Sequence, residues 1–332
     1  MANDVKVVIE LLKAAPRAGF GYPLILEVGG EAEVKYTEVG SLDEVAKAGF
    51  AAETATYKAA QLLFMQANAP SKIAVCGSTG DAVTALPKIL NEGWRQLIIV
   101  NGTVDVEAVS DYIESCGKHA VFFASVNSES SDSVIQAVSG NERTFLLAHK
   151  GETVANPEAA VVGATAGLDA GSFTYKNIAL KGVTAQSYTD AEVEALHAKN
   201  VNTVLLKAGS VVTSEGLTVS GEYADIVDTK DYLIQQIEYQ CQHLLNRVPK
   251  LPYDNRGIAA LEGVVLSVLK DAANNGMIAV NDEGDYEYSV NFAPRSECAP
   301  ADISSRHYAE GKFEFTLAGA IHTAKIKGTI LA

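Results

Sequence analysis

The sequence predicts an α/β fold in which a discontinuous α+β core domain carries an inserted α/β domain and ends in extended β-strand arms. Three observations support this fold class. Residues 72–148 alternate apolar strand runs with helix-like segments, residues 229–274 hold two long amphipathic helices, and both chain ends alternate apolar and polar residues. The first pattern is typical of a parallel sheet covered by helices, and the last indicates strands with one buried face.

The N-terminal segment is predicted to be a strand, because apolar residues occupy every second position: Val5, Val7, Ile9 and Leu11. Lys6 and Glu10 interrupt the segment, whereas a secretory signal needs a uniformly apolar stretch. No apolar run approaches the roughly 18 residues of a membrane-spanning helix. The chain is therefore expected to be soluble, made in a cytoplasm and not inserted in a membrane.

Residues 30–150 are predicted to form the inserted α/β domain. Strands are expected at residues 73–76, 97–100, 120–124 and 144–148, and helices at residues 52–65, 81–90, 104–115 and 131–138. The turn at residues 77–80, between Gly77 and Gly80, lies between a strand and a helix, where backbone amides can bind phosphate. It lacks the dinucleotide fingerprint and the P-loop lysine, so a structural turn is favoured and a nucleotide-binding α/β enzyme is the alternative.

The C-terminal half has a different pattern. A hairpin is predicted around residues 214–216, with Gly216 in the left-handed region. A helix over residues 229–248 follows, and Pro249 and Pro252 end it because proline lacks an amide donor. A second helix over residues 257–274, capped by Asp254 or Asn255, ends at Gly276, and a strand is expected at residues 286–290.

The end of the chain again alternates with period two. Phe313, Phe315 and Leu317 are predicted to share one face of a strand. Residues 320–332 are predicted to form a final strand, in which Ile326 faces one side and Lys325 and Lys327 face the other. An ordinary intramolecular sheet is the alternative interpretation of both terminal strands.

Composition excludes several functions. The net charge of −15 argues against a nucleic-acid surface, which needs clustered lysine and arginine. Four widely spaced cysteines, Cys76, Cys116, Cys241 and Cys298, predict buried thiols and no zinc site. The six histidines are scattered and no activated nucleophile motif occurs, so no catalytic residue, metal or cofactor is predicted.

A series of sequence blocks resembles contractile tail sheath proteins, the outer cylinder of phage tails and phage-tail-like particles. The blocks, in the order of that family, are residues 18–26, a small-residue segment that Pro157 opens, and residues 171–176, 180–183, 199–202 and 221–258. The resemblance implies an N-terminal arm and part of the core at residues 1–29, an outer domain at 30–150, the core at 151–311 and a C-terminal arm at 312–332. Residues 30–150 match the family far less distinctly.

The resemblance also implies a function without enzyme activity. Such subunits form a helical homo-oligomer of stacked rings, held together by arms that add strands to neighbouring subunits. The implied partners are an inner tail tube protein, a baseplate and a tail terminator, in a virion tail or a released extracellular particle. The predicted inter-subunit residues are those of both terminal strands, and the predicted tube-facing residues are Lys230, Lys250 and Arg256.

Deletion of residues 313–332 is expected to leave a folded monomer that does not polymerise. A non-contractile capsid or tube component is a further alternative, and it would form rings without a second, compact state.

Overall fold

The computed structural model of the chain describes residues 20–129, 131–151 and 156–328. Within these residues, eight strands form one large sheet and two strands form a small antiparallel sheet. The strands of the large sheet are β1 Tyr22–Glu27, β2 Val34–Val39, β3 Ile73–Gly77, β4 Trp94–Val100, β5 Val121–Asn127, β6 Thr144–His149, β7 Asn202–Lys207 and β8 Ser210–Thr213. The small sheet pairs β9 Tyr288–Phe292 with β10 Gly311–Phe315.

Ten α-helices lie in the described ranges. They are α1 Leu42–Lys47, α2 Ala55–Phe64, α3 Ala82–Ala85, α4 Val106–Ser115, α5 Asp132–Ala137, α6 Pro157–Thr165, α7 Asp190–His197, α8 Ala224–Arg247, α9 Asn255–Asn274 and α10 Pro300–Ser305. Side chains cap many of them. Thr54, Asp81, Asp105 and Thr189 each accept a hydrogen bond from the amide three residues later, which satisfies a backbone donor that the helix leaves free.

The large sheet has the order β2-β3-β1-β4-β5-β6-β7-β8. Its six central strands are parallel, whereas β2 and β8 run antiparallel at the two edges. Every residue of β4 is buried, as expected for a parallel strand with helices on both faces of its sheet. The predicted parallel sheet is therefore confirmed, and its strands at 73–76, 97–100, 120–124 and 144–148 lie within β3 to β6 apart from Ala120.

Helix α6 is the central helix on one face of the sheet, and it is buried along its whole length. Small residues allow this position, because α6 packs closely against α2. A Cβ atom on Gly163 would lie 2.7 Å from the Cα atom of Leu63 on α2, so only glycine fits at this contact. On the opposite face, α4 and α5 cover a second apolar cluster with Phe122 and Leu146.

Helices α8 and α9 form an antiparallel pair that supports the small sheet. Leu233 of α8 and Val265 and Leu269 of α9 are buried in a third apolar cluster. Asp254 caps α9 as predicted, accepting hydrogen bonds from the amides of Arg256 and Gly257. The start of α8 was predicted at residue 229 but lies at Ala224, because its first turns bear acidic side chains that resemble a polar loop in sequence.

The hairpin predicted around Gly216 is wrong. Strands β7 and β8 instead turn through Ala208 and Gly209, whose φ angles are 48° and 83°. Gly216 does have a positive φ of 97°. Glycine is needed there because the backbone packs against residues 175–176, and a Cβ atom would lie 2.8 Å from the amide nitrogen of Lys176. The strand predicted at 286–290 is displaced by two residues, to β9.

The predicted division of the chain stays a prediction. Strand β1, from the segment predicted as N-terminal arm and core, lies between β3 and β4 of the predicted inserted domain. Strand β7, from the predicted core, pairs with β6. One sheet therefore crosses the boundaries at residues 29/30 and 150/151.

The four cysteines are free thiols. Cys76 and Cys298 are buried as predicted, whereas Cys116 and Cys241 are only half-buried because they lie at the end of α4 and on the outer half of α8. None of the helices described combines the length and apolar character needed to cross a membrane.

Candidate assembly interface

The small sheet has one apolar and one polar face. Tyr288, Val290, Phe292 and Phe315 pack toward the α8–α9 pair, and Phe313 lies opposite Val290 on the same face. The outer face carries exposed polar side chains, which are Ser289, Asn291, Lys312 and Glu314. Apolar contact with α9 therefore holds the sheet on one side and leaves its strand edges accessible.

Neither edge of the small sheet is paired with another strand of the described residues. The amide of Ala293 donates to Glu310 O at 3.2 Å, and the amide of Thr316 donates to Glu287 O at 2.9 Å. Because backbone groups point alternately to the two sides of a strand, the amides of the odd-numbered residues of β10 face its open edge. Such an edge is a ready site for an added strand.

After β10, the chain makes a short irregular pairing and then extends. Leu317 lies opposite Ile278, and the amide of Ala318 donates to Met277 O at 3.0 Å. Residues 319–328 contain no helix or strand, and Ile321 and Ile326 are 90% and 91% exposed. The strand predicted over residues 320–332 is therefore wrong for residues 320–328, which pair with no strand among the described residues. Residues 329–332 lie outside the described ranges.

The predicted arm residues have different positions. Val5, Val7, Ile9 and Leu11 lie outside the described residues. Phe313 and Phe315 lie in β10 and pair with β9 of the same chain, so they do not belong to an extended arm in this structure. Leu317 lies in the pairing that follows, and Lys325, Ile326 and Lys327 are exposed without regular structure. Their part in inter-subunit contacts stays a prediction.

Phe20, the first described residue, is held firmly. Its ring packs edge-on against Tyr232 of α8 at 5.6 Å between centroids, and the guanidinium carbon of Arg95 lies 4.1 Å from the ring centre. Gly21 follows with a φ of 96°, since a Cβ atom there would lie 2.7 Å from the Cβ of Arg95. Phe20 and Phe315 pack on the same apolar cluster, so both terminal segments begin from the small sheet and its helices.

A buried ionic network joins α8 to the large sheet. Asp231 of α8 is fully buried and accepts hydrogen bonds from Arg95 Nη2 at 3.1 Å and from Arg143 Nη1 and Nη2 at 2.8 and 2.9 Å. His119 Nδ1 lies 3.0 Å from Asp231 Oδ1. Burial acts to raise the pKa of Asp231, but hydrogen bonds and positive charge from Arg143 and Arg95 outweigh it and lower that pKa.

Asp228, one turn earlier on α8, completes the network. Its carboxylate accepts from Tyr175 Oη at 2.8 Å and lies 2.6 Å from Arg95 Nη2. Burial raises the pKa of Asp228, and the charge of Arg95 only partly opposes this. Sequence reasoning missed the network, because Arg95 and Asp231 are 136 positions apart and no local pattern links them.

The predicted tube-facing residues are not brought together. Lys230 lies near the start of α8 and pairs with Glu142 at 3.1 Å. Arg256 pairs with Asp254 at 3.0 Å beyond the far end of α8, and Lys250 is exposed in the connection between the two helices. The 1.5 Å rise per residue puts Lys230 roughly 25 Å from the end of α8. Their contact with a tube stays a prediction.

The turn at residues 77–80, which the alternative hypothesis assigns to phosphate binding, binds the carboxylate of Glu33. Glu33 Oε1 accepts from the amide and hydroxyl of Thr79, both at 2.9 Å, and from the hydroxyl of Ser78 at 3.3 Å. The backbone hydrogen bond from Thr79 is the largest cause of a lowered pKa of Glu33. The helix that follows, α3, has only four residues. The donors expected to bind phosphate are thus already used, which argues against a nucleotide site.

Catalytic and metal chemistry gain no support from the described part of the chain. It contains no cluster of three or more histidine, cysteine or acidic side chains with the spacing of a metal site. The features that stand out in the described residues are an open-edged sheet, two terminal segments that begin beside it, and an ionic network that joins α8 to the large sheet.

The chain resembles solved structures of contractile sheaths over its whole length. A chain of the helical sheath of the anti-feeding prophage in the contracted state gives a TM-score of 0.72 at 17% identity, with 99% of each chain covered. A chain of the PVC sheath complex, from an extracellular contractile injection system in the contracted state, gives 0.72 at 15% identity, covering 99% of this chain and 98% of that one.

A sheath tail protein from Desulfitobacterium hafniense gives a TM-score of 0.60 at 10% identity, covering 86% of this chain and 93% of that one. No protein-family model and no curated protein sequence matches the chain. At these identities the likeness establishes the fold, and it confirms the sheath-like fold that the sequence blocks predicted.

Proposed function

We propose that this chain is the structural subunit of a contractile sheath, with a mechanical and not a catalytic role. One observation carries the proposal: a two-stranded sheet with open edges lies beside residues 319–328, which form no backbone hydrogen bond with the rest of the described chain. The full-length likeness to sheath chains of the anti-feeding prophage and the PVC complex supports it.

Subunits associate by strand exchange in this proposal. A terminal segment of one copy adds to an open edge of β9 or β10 in another, with backbone hydrogen bonds for attachment and alternating side chains for register. About five added hydrogen bonds give roughly 1 kcal/mol each, whereas ordering the strand costs about 1–2 kcal/mol per residue. A single added strand is therefore marginal, and several per subunit make assembly cooperative.

The assembled copies form a helical cylinder around an inner tube, joined to a baseplate and closed by a tail terminator. Contraction drives the tube through a cell envelope, and its free energy comes from subunit contacts that improve in the compact state, without nucleotide hydrolysis. Assembly takes place in the bacterial cytoplasm, and the product is a virion tail or a released particle. Residues 30–150 face outward, and the α8–α9 pair faces the tube.

The buried ionic network gives this cylinder a rigid subunit. Asp231 and Asp228 bind α8 to the strands through Arg95 and Arg143, so the helical pair cannot slide along the sheet without exposing unpaired charges. Force applied at the terminal segments is then passed to the whole subunit and not dissipated in a hinge.

Electron microscopy of a truncation tests the proposal. Deletion of residues 313–332 is unsuitable, because it removes Phe315 from the apolar cluster and half of the small sheet. Deletion of residues 323–332 keeps β10 and the pairing through Ala318. We expect hollow cylinders from the full chain in negative stain and folded monomers, with unchanged circular dichroism, from the truncated chain. Cylinders formed equally by both would refute exchange of the C-terminal segment, and rings without a compact state would favour a non-contractile component.

A further inference from the structure

One residue of the C-terminal segment is held against the subunit while its neighbours are not. The segment is fixed by hydrogen bonds from the Ala279 amide to Thr316 O at 2.8 Å and from the Ala318 amide to Met277 O. No further backbone hydrogen bond joins residues 319–328 to the rest of the described chain. His322 is half-buried, whereas residues 319–321 and 323–328 are exposed.

The contact that holds His322 is aromatic. Its ring packs edge-to-face on Tyr223 with centroids 4.8 Å apart and an interplanar angle of 90°. Tyr223 immediately precedes α8, so its position is fixed by the helix that the ionic network locks to the sheet. Edge-to-face aromatic pairs are modestly stabilising, which suits a contact that forms and breaks.

A cavity of about 360 Å³ lies beneath this contact. It is lined by the turn at residues 171–174, by the first turns of α8 and by residues 317–320, and His322 is at its rim. Two buried polar atoms of the lining, His322 Nδ1 and Asp225 Oδ1, have no hydrogen-bond partner among the described residues. An uncharged imidazole tolerates this setting better than an imidazolium, which would bury a charge.

The titratable groups around His322 are Lys176, Glu215, Asp225 and Tyr223. Burial is the largest cause of a lowered pKa of His322, the charge of Lys176 lowers it further, and that of Glu215 opposes both. Asp225, on the same cavity, has its pKa raised to about 6 by burial, so its negative charge also declines as the solution is acidified. Glu215 is paired with Lys176 at 2.7 Å, so much of the negative charge that faces His322 is already balanced.

We propose that His322 is an anchor that holds residues 319–322 on their own subunit while its imidazole is neutral and releases them when it is protonated. Because the pKa is lower in the docked state, docking is fully present above the free histidine value of about 6.5 and is lost as the pH falls below it. The anchor belongs to the free subunit. Its consequence, that acid lengthens the segment available for exchange, rests on the proposed function.

Nuclear magnetic resonance of the full chain, labelled with 13C-histidine and kept dilute enough to be monomeric, tests the anchor. The His322 signal is assigned by its loss in His322→Gln. We expect a His322 pKa below 6.5 and an upfield ring-current shift, with both retained in Tyr223→Phe and both abolished in Tyr223→Ala. A His322 that titrates normally without a ring-current shift, or that is unaffected by Tyr223→Ala, would overturn the proposal.

Hydrogen exchange supplies the second measurement. After correction for intrinsic rates, the hydrogen-bonded amide of Ala318 in the wild type should exchange roughly five-fold faster at pH 5.5 than at pH 8, because the loss of an aromatic contact of ordinary strength lets the end of this pairing open. His322→Phe keeps the ring and cannot titrate, so its protection should not change with pH. Equal protection of the wild type at both pH values would contradict a histidine-controlled release. Neither measurement depends on polymerisation, so failure of the sheath proposal would leave these results unaffected.

Discussion

Asp231 is the carboxylate on which three cationic or titratable side chains converge, from β4 and from the residues that precede β5 and β6. Asp231→Ala leaves Arg143 without this carboxylate and leaves Arg95 with Asp228 alone, so we expect a loss of about 3–5 kcal/mol in the free energy of unfolding, measured in urea. Lys230→Ala, at the next position, removes an exposed pair with Glu142 and should cost about 0–1 kcal/mol. Equal losses in the two variants would contradict the role given to the network.

Glu158 predicts a pH dependence of stability. It is almost completely buried at the start of α6, and burial raises its pKa from 4.5 to about 7. A carboxyl with a raised pKa binds its proton more tightly in the folded state, so stability falls as the pH rises from about 4.5 to about 7 and then stays low.

Glu158→Gln isolates this contribution, because glutamine has the same size and does not titrate. The variant should gain stability relative to the wild type by roughly 2 kcal/mol between pH 5.5 and pH 8.5, as measured by urea unfolding at each pH. A difference between variant and wild type that is the same at both pH values would show that Glu158 titrates normally.

The residue types alone predicted only some of these side-chain environments. Asp254 was identified as a cap because capping depends on its nearest neighbours in sequence. The burial of Asp231, Glu158 and Arg95 was not predicted, since nothing in the local sequence distinguishes a buried charge from a solvated one. Their environment is set by strands that are remote in sequence, and it is visible only once the fold is known.

Two helical glycines, one in a tight contact and one in open space, allow a controlled test of helix packing. Gly163 of α6 leaves no room for a Cβ beside the backbone of Leu63, whereas a Cβ on Gly263 of α9 would meet no atom within 4 Å. Gly163→Ala should cost about 1–3 kcal/mol by forcing α6 away from α2. Gly263→Ala should raise stability by up to about 1 kcal/mol, because alanine favours a helix more than glycine does. Thermal unfolding of both variants decides this, and a stabilising Gly163→Ala would contradict the close α2–α6 contact.

Strand β10 permits a test of the open edge. The amide of Phe313 faces that edge, whereas the amide of Glu314 faces β9. Phe313→Pro removes an outward donor, so we expect a folded monomer with reduced assembly in sedimentation velocity. Phe313→Ala controls for the lost side chain and should assemble. Glu314→Pro removes a donor of the internal ladder and should destabilise the small sheet. Normal assembly of Phe313→Pro would exclude the β10 edge as the acceptor.

Elements marked by a local sequence pattern were predicted, whereas elements defined by pairing between strands were not. Strands β3 to β6 and helices α2, α4 and α9 were predicted, because apolar periodicity marks a buried face wherever the partner lies. The β7–β8 hairpin was missed, since Gly209 and Gly216 both have positive φ and only strand pairing distinguishes them. Phe313 and Phe315 were recognised as strand residues, but alternation does not reveal whether a partner belongs to the same chain.

For the whole molecule, the sheath-like fold was predicted from blocks spread over the chain, and the full-length likeness to sheath structures bears out that part. The continuity of the large sheet across residues 29/30 and 150/151 was not foreseen, because the position of β1 between β3 and β4 is a long-range pairing. The mechanical proposal depends on this continuity, since the large sheet connects β1, which follows the N-terminal segment, to residues 30–150. The C-terminal segment starts from the small sheet, which packs on α8 and α9, and the ionic network joins α8 to the large sheet.

The central claim is that copies of this chain exchange strands at the small sheet. The measurement that tests it most directly is a cryo-electron microscopy reconstruction of the polymer, read at β9 and β10. We expect at least one additional strand, contributed by a neighbouring copy and hydrogen-bonded along an edge of this sheet. A polymer in which both edges face solvent, and in which the terminal segments contact only their own subunit, would contradict it.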